Sequence, residues 1–303
     1  MSGKPSIFKD AGLQSQFDAD GYVVIDFISP EDAWAMGEKF YEVHKEIPPG
    51  FYADAHSSDD ALKREIYAHT QTVFLGKLEE CFQSYKVLGG TYLNKAPGDV
   101  GKVGVHQDWT VVDESRYYSL TIWVPVQDVD ETNGALRVLP GSHLFFDYYR
   151  SDNIPYAYRG NEQMLWDNMV TVPMKAGQAF VLNHAVLHAS APNFTDRDRL
   201  VIAYGLVPKE ADLMFYHRER NNDTAKVEKF DMPDDFFQRY YNVGYRPKFG
   251  ELVSTFDYPV PPILPKKLNT LINEQRIRKG LPIIPKAANS YGLLRRLSNY
   301  FLR

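Results

Sequence analysis

A chain of 303 residues, 44% of them hydrophobic, has apolar material for one large globular body or two small ones and is not a fibrous or disordered sequence. Its single cysteine, Cys81, excludes an intrachain disulfide framework and a Cys-based zinc site, and fits a reducing, cytoplasmic setting. The net charge of −5 argues against a nucleic-acid partner, MSGKPSIFKD lacks the apolar core of a secretory signal, and no apolar run is long enough for a membrane span.

Taken in chain order, Tyr22 to Phe27 read as a strand and the segment after it as a helix. Ser29 is a natural N-cap, Pro30 suits the first helical position and Asp32 lies three residues beyond the cap. Ala33, Met36, Phe40 and Val43 then recur at helical spacing. A second helix is expected from about Asp59 to Glu80. From Lys86 the texture changes to short β-branched and aromatic runs: KVLGGTYLNK, YYSLTIWVPV, ALRVLP, MVTVP, QAFVLNH and RLVIAYGLV. Turn residues at Asp99 with Gly101, Asn133-Gly134, Gly141-Ser142 and Gly177 separate them. No helical pattern lies between consecutive strands. This predicts an antiparallel sandwich or barrel, mainly β, with the N-terminal helices packed on one sheet face. Residues 209 to 265 read as irregular or partly helical surface structure.

Chemistry concentrates in VGVHQDWT and VLNHAVLHASAPN. His106 and Asp108 are two apart, so on a strand both side chains face the same way and give one metal two ligands. Imidazole and carboxylate together suit iron(II), with a face left open for a bidentate cosubstrate and oxygen. A His-x-Asp pair alone is not diagnostic. The third ligand must come from another strand; His188, just after an apolar strand, is a candidate, with His184 as its rival in the same segment. Arg199 follows eleven residues later, at the start of an apolar strand, where a buried cation needs an anion; a planar guanidinium takes a carboxylate in two-point fashion. Ser190, two after His188, adds a hydroxyl donor. His143 in PGSH reads as a turn residue.

HQD at 106–108, Trp123 in SLTIWVPVQD, NGALRVLPGSH from Asn133, HASAPN from His188 with Arg199 beyond, and LNKAPG from Leu93 together resemble the phytanoyl-CoA dioxygenase family of double-stranded β-helix (jelly-roll, cupin-like) oxygenases. The resemblance covers roughly residues 15 to 208. It implies that His106, Asp108 and His188 bind iron(II), and that Arg199 and Ser190 bind the distal carboxylate of 2-oxoglutarate. Gln107, Trp123 and Thr91 would line the cosubstrate pocket. Trp109, Arg137 and Tyr52 are candidate contacts for a small-molecule substrate. The implied activity is an iron(II)- and 2-oxoglutarate-dependent dioxygenase, which uses O2, oxidises an unactivated C–H bond and releases succinate and CO2. Two alternatives stand beside it: a cupin-like metalloenzyme that does not use 2-oxoglutarate, and a catalytically silent jelly-roll binding protein.

The expected division is an oxygenase domain over 1–265, with its N-terminal helices and an irregular insert, followed by a basic extension over 266–303. From Lys266 to the end there are nine Lys or Arg and one acid, Glu274, so the preceding body carries −13. SYGLLRRLSNYFLR has apolar residues at Leu293, Leu294, Leu297, Tyr300 and Phe301, the pattern of a basic amphipathic helix. Such a segment could dock on an acidic surface, of this chain, of a second copy in a homo-oligomer or of an acidic partner.

Overall fold

The computed structural model describes residues 3–219, 225–239 and 244–284. Helix α1 (Ala11–Asp20) starts where the Asp10 side chain accepts from the Leu13 N–H. It stops at Gly21, whose φ of 79° is the left-handed value that a Cβ penalises, and whose N–H returns to the Phe17 carbonyl. Strand β1 (Tyr22–Asp26) leads to α2 (Pro30–Val43), capped by Ser29 with Pro30 in the first turn, as the sequence predicts. A short strand, β2 (Phe51–Ala53), precedes α3 (Asp60–Cys81), where the Asp59 side chain accepts from the Ala61 and Leu62 N–H groups.

The β-rich part contains β3 (Tyr85–Lys95), β4 (Val103–His106), β5 (Leu120–Pro125) and β6 (Leu136–Val138). After helix α4 (Glu162–Asn168) come β7 (Val170–Thr171), β8 (Gln178–Asn183), β9 (His188–Ser190) and β10 (Arg199–Pro208). A six-stranded sheet has the order β1-β8-β5-β10-β3-β2 and a four-stranded sheet the order β4-β9-β6-β7. Their pairings are antiparallel throughout, the signature of a jelly roll and not of βαβ units.

The six-stranded sheet is covered on both faces, which is why its strands read as nearly continuous apolar runs. Ile122, Val124, Ile202 and Tyr204 pack with Phe17, Met36, Phe40, Ile66, Phe74 and Leu78 of the three N-terminal helices. The alternate residues Trp123, Phe180, Leu182 and Val201 pack with Leu136 and Val138 of the four-stranded sheet. Each such buried side chain contributes about 1.5–3 kcal/mol relative to exposure.

Residues 209 to 265 differ from the sequence-based expectation. They hold β11 (Leu213–His217), β12 (Lys226–Met232), the short helix α5 (Phe236–Arg239) and β13 (Glu251–Asp257). The strands form an antiparallel sheet in the order β11-β12-β13. Phe215, Phe230, Met232 and Phe236 pack there with Leu88, Val111 and Val207. LMFYH is too short and too uniformly apolar to show a period, and a charged stretch separates it from its partner strand, so neither half signals the other.

The chain divides into two compact units, 1–262 and a second beginning at Ile263. In the second, α6 (Pro265–Arg278) starts on a proline, and its Asn273 side chain closes onto both backbone groups of Ile284. The basic amphipathic pattern of SYGLLRRLSNYFLR lies outside the described residues. Among the described residues no helix is long and apolar enough to cross a membrane.

Candidate metal centre and cosubstrate cavity

Strand pairing assembles the centre. In the antiparallel pair β4–β9, His106 stands opposite His188 and Val103 opposite Ser190. The two rings lie 4.1 Å apart. Asp108 is not on the strand: β4 ends at His106, and the carboxylate comes from the first turn of loop after it. The same-face expectation for an in-strand pair is therefore replaced by a strand end. There the Asp108 backbone is fixed by Arg150, whose Nε donates to the Asp108 carbonyl at 2.8 Å. His106, Asp108 and His188 each offer one ligand atom, and these lie within 4.8 Å of one another.

Both imidazoles are oriented by the nitrogen that faces away from the centre. His106 Nδ1 is 2.8 Å from the Gly104 carbonyl, and His188 Nδ1 is 3.1 Å from the Val186 carbonyl. Each Nδ1 must carry the proton to satisfy its carbonyl, which leaves Nε2 as a free lone pair. His188 Nε2 sits 3.8 Å from Asp108 Oδ1. Burial, and then the neighbouring His188, push the His106 ring down to about 4, so it is neutral and ready to bind a cation. Burial alone would raise Asp108, but the surrounding imidazoles and the Thr121 hydroxyl outweigh it and keep the group below its ordinary value.

Thr121 was not singled out in the sequence, although it lies two residues before Trp123 and hence on the same face of β5. Its hydroxyl donates to Asp108 Oδ2 at 3.1 Å. It is also 3.1 Å from His184 Nε2, so with its hydrogen on the carboxylate it accepts from that ring. His184, the rival of His188 in the sequence, thus stands behind the carboxylate. Gln107 is held by its own amide, donating to the Ala185 carbonyl and accepting from the Tyr148 hydroxyl.

A cavity of about 410 Å³ opens from this centre, and Gln107, Trp109, Thr121, Trp123, Thr91, Ser190 and Arg199 all line it. Arg199 is 2% exposed, and its Nε and Nη1 meet no hydrogen-bond partner. Its guanidinium lies 5.2 Å from the Trp123 ring, and burial pushes it down to about 9. Unmatched donors on a buried cation are costly, and a carboxylate entering the cavity is the partner that suits a guanidinium fork. Lys95 stands opposite Arg199 in the β3–β10 register and is fully buried.

Two candidate substrate contacts are placed elsewhere. Arg137 turns away from the cavity: its Nη2 donates to the Trp166 and Met169 carbonyls at 3.1 and 3.2 Å, capping the end of α4, and it lies over the Trp166 ring. Tyr52 is out of phase by one residue. Phe51 and Ala53 line the cavity, while Tyr52 points to the opposite face, bonded to Asp54 and edge-on to His44.

The sequence profile of the phytanoyl-CoA dioxygenase (PhyH) family matches residues 17–201, and the chain belongs to that family. It is 30% identical over 163 residues to phytanoyl-CoA dioxygenase domain-containing protein 1 of Danio rerio, a match spanning 51% of this chain and 55% of that protein. It is 30% identical over 129 residues to phytanoyl-CoA dioxygenase of Arabidopsis thaliana, over 42% of this chain and 45% of that one. The chain thus spans about half the length of these curated relatives. Among solved structures it is similar to the epimerase SnoN of nogalamycin biosynthesis, in complex with Fe3+, alpha ketoglutarate and nogalamycin RO, at a TM-score of 0.50 and 22% identity over 80% of this chain and 94% of that one. That likeness supports the jelly-roll fold.

Proposed function

We propose that this protein is an iron(II)- and 2-oxoglutarate-dependent dioxygenase that oxidises a C–H bond of a small organic molecule. The observation that carries the reading is the buried Arg199, with Nε and Nη1 unmatched among the described residues, in the same cavity as three convergent metal-ligand side chains. The donor set fits the metal: two imidazoles and one carboxylate form a facial triad that leaves further coordination positions open. Bound there, iron(II) would supply oxygen activation coupled to decarboxylation of 2-oxoglutarate, with release of succinate and CO2. Thr121 fixes which carboxylate oxygen of Asp108 faces the metal. Arg199 and Ser190 bind the distal carboxylate, and Trp123 forms the wall between that end and the centre. Thr91 and Gln107 complete the cosubstrate lining. Trp109, Val111, Leu88 and Phe237 make an apolar wall that limits water access and seats the substrate. Hydroxylation is the default outcome.

A metalloenzyme that ignores 2-oxoglutarate has no use for an unmatched buried guanidinium, and a silent binding protein has no use for three oriented ligands. Anaerobic addition of iron(II) and 2-oxoglutarate is expected to give a visible charge-transfer band. Succinate release is then screened against acyl-thioesters, amino acids and secondary metabolites. Absence of the band, together with absence of 2-oxoglutarate binding, would overturn the assignment.

A further inference from the structure

We propose that Lys95 is a positioning residue for the cosubstrate: its ammonium fixes the Ser190 hydroxyl so that this hydroxyl donates toward the carboxylate held by Arg199. The proposal rests on the functional reading above and adds a residue to it.

The geometry is specific. Lys95 Nζ donates to Ser190 Oγ at 2.6 Å and also to the Ala191 carbonyl. With a carboxylate held beside Arg199, Lys95 is protonated, and an ammonium has no lone pair, so Ser190 can then only accept from it and the hydroxyl's own hydrogen must point elsewhere. Without the lysine, a serine at this place is free to turn its hydrogen onto a nearby backbone carbonyl. The Lys95 backbone is held at the same place, its carbonyl accepting from Asn193 Nδ2 at 3.0 Å.

Two glycines make room for the lysine stem. A Cβ at Gly101 would stand 2.8 Å from Lys95 Cγ, and one at Gly134 would stand 3.2 Å from Lys95 Cδ and 2.6 Å from the Ala191 carbonyl. Gly134 also has φ +81°, so the turn and the passage both require glycine. The LNKAPG, NGALRVLPGSH and HASAPN segments, remote in sequence, thus meet around one ammonium.

The charge pattern says what this arrangement awaits. Among the described residues neither Lys95 nor Arg199 has a carboxylate in ion-pair contact. Burial, and then Arg199, push Lys95 down to about 6. With no acid beside them, two cations in register across β3 and β10 are disfavoured, so Lys95 tends to give up its proton in the empty site, and a bound dicarboxylate restores the ammonium. A purely structural lysine would be expected to carry an acidic partner.

The test is calorimetric titration of 2-oxoglutarate into the iron(II)-loaded protein under anaerobic conditions, with iron content and melting temperature measured alongside. Lys95→Met keeps the stem and removes the charge. It is expected to weaken 2-oxoglutarate by about ten- to a hundredfold, the scale of a hydrogen bond to a charged group. Iron content should stay normal and the melting temperature should not fall. Ser190→Ala should weaken binding similarly, and the double variant should be no weaker than the worse single one, because both changes break one chain of bonds. Full additivity would show that Lys95 does not act through Ser190, and would overturn the proposal. So would normal affinity in Lys95→Met with a lowered melting temperature, which marks a structural role. If Lys95→Met does not fold, Lys95→Gln is read in the same way, and failure of both while Ser190→Ala folds assigns Lys95 to the fold. If the unaltered protein binds no 2-oxoglutarate, the functional reading itself falls and takes this proposal with it, a result distinct from every other.

Discussion

On β5 and β10, residues one apart live in different environments. Leu120, Ile122 and Val124, with Leu200 and Ile202, face the helices, and Tyr204 packs with them while also bordering the cavity; Thr121, Trp123, Arg199 and Ala203 face the cavity. The helix side is closed by apolar packing, including Phe74 edge-on to both Phe27 and Tyr204 at ring separations of 5.0 and 5.4 Å. The cavity side carries the unmatched donors of Arg199 and the three convergent ligand groups. The same strands thus give stability from one face and chemistry from the other. A substitution should damage one property and spare the other according to the parity of its position.

The cavity side should give the largest separation of the two. Arg199→Ala removes the only guanidinium in the cavity lining among the described residues. It is expected to cost about 3–5 kcal/mol of 2-oxoglutarate affinity, the scale for stripping one partner from a buried charge pair. Iron binding should persist, and melting should not suffer, because Nε and Nη1 of Arg199 have no hydrogen-bond partner among the described residues. The check is cosubstrate titration beside a melting curve, and unchanged affinity would remove Arg199 from the site. The reverse case is Phe74→Ala, expected to destabilise the fold by about 3–5 kcal/mol. Below its lowered melting temperature, iron and 2-oxoglutarate affinities should be unaltered. Weakened ligand affinity in the folded variant would show that the two faces are not independent.

Thr121→Val is a subtler test, because it keeps shape and deletes the hydroxyl between His184 and Asp108. Groups that orient metal ligands typically contribute about ten- to a hundredfold in metal affinity or activity. The expected outcome is weaker iron binding at near-normal stability, read by metal titration. Equal iron affinity would leave the carboxylate oriented by the Arg150 bond to its backbone alone.

What the sequence disclosed follows the range of the interactions. Capping of α2, the strands between Lys86 and Val207 and the HQD and HAS segments are local patterns, readable from spacing and turn residues. The His184–Thr121 contact joins residues 63 apart in sequence, and Lys95–Ser190 joins residues 95 apart. Such contacts exist only once β8 lies beside β5, and β9 near β3. Tyr52 and Arg137 were misplaced for a related reason. A strand of three residues, Phe51–Ala53 or Leu136–Val138, is too short for alternation to announce which side is inward.

The smallest expected effect tests how the edge of the cavity is held. His44 Nδ1 is 2.8 Å from the Phe40 carbonyl and Nε2 is 2.7 Å from Asp54 Oδ1. Both neighbours are acceptors, so the ring satisfies them only when doubly protonated. Asp54 Oδ2 accepts in turn from the Tyr92 N–H at 3.2 Å, and the Ala55 N–H donates to Thr91 Oγ1 at 2.9 Å, which ties the segment after β2 to β3 beside the cavity. Burial acts to lower His44, but the bonds to Asp54 and Phe40 outweigh it and leave the ring above its ordinary value. A group raised on folding contributes stability that is fully present below the unfolded-state value of about 6.5 and is lost as pH rises through the folded-state value. The stability difference between the unaltered protein and His44→Gln should therefore be largest below that point and shrink at alkaline pH. Melting temperatures of both proteins across the range read this directly. A difference independent of pH would mean that the ring is neutral in the fold and that one of its two acceptors is satisfied by another donor.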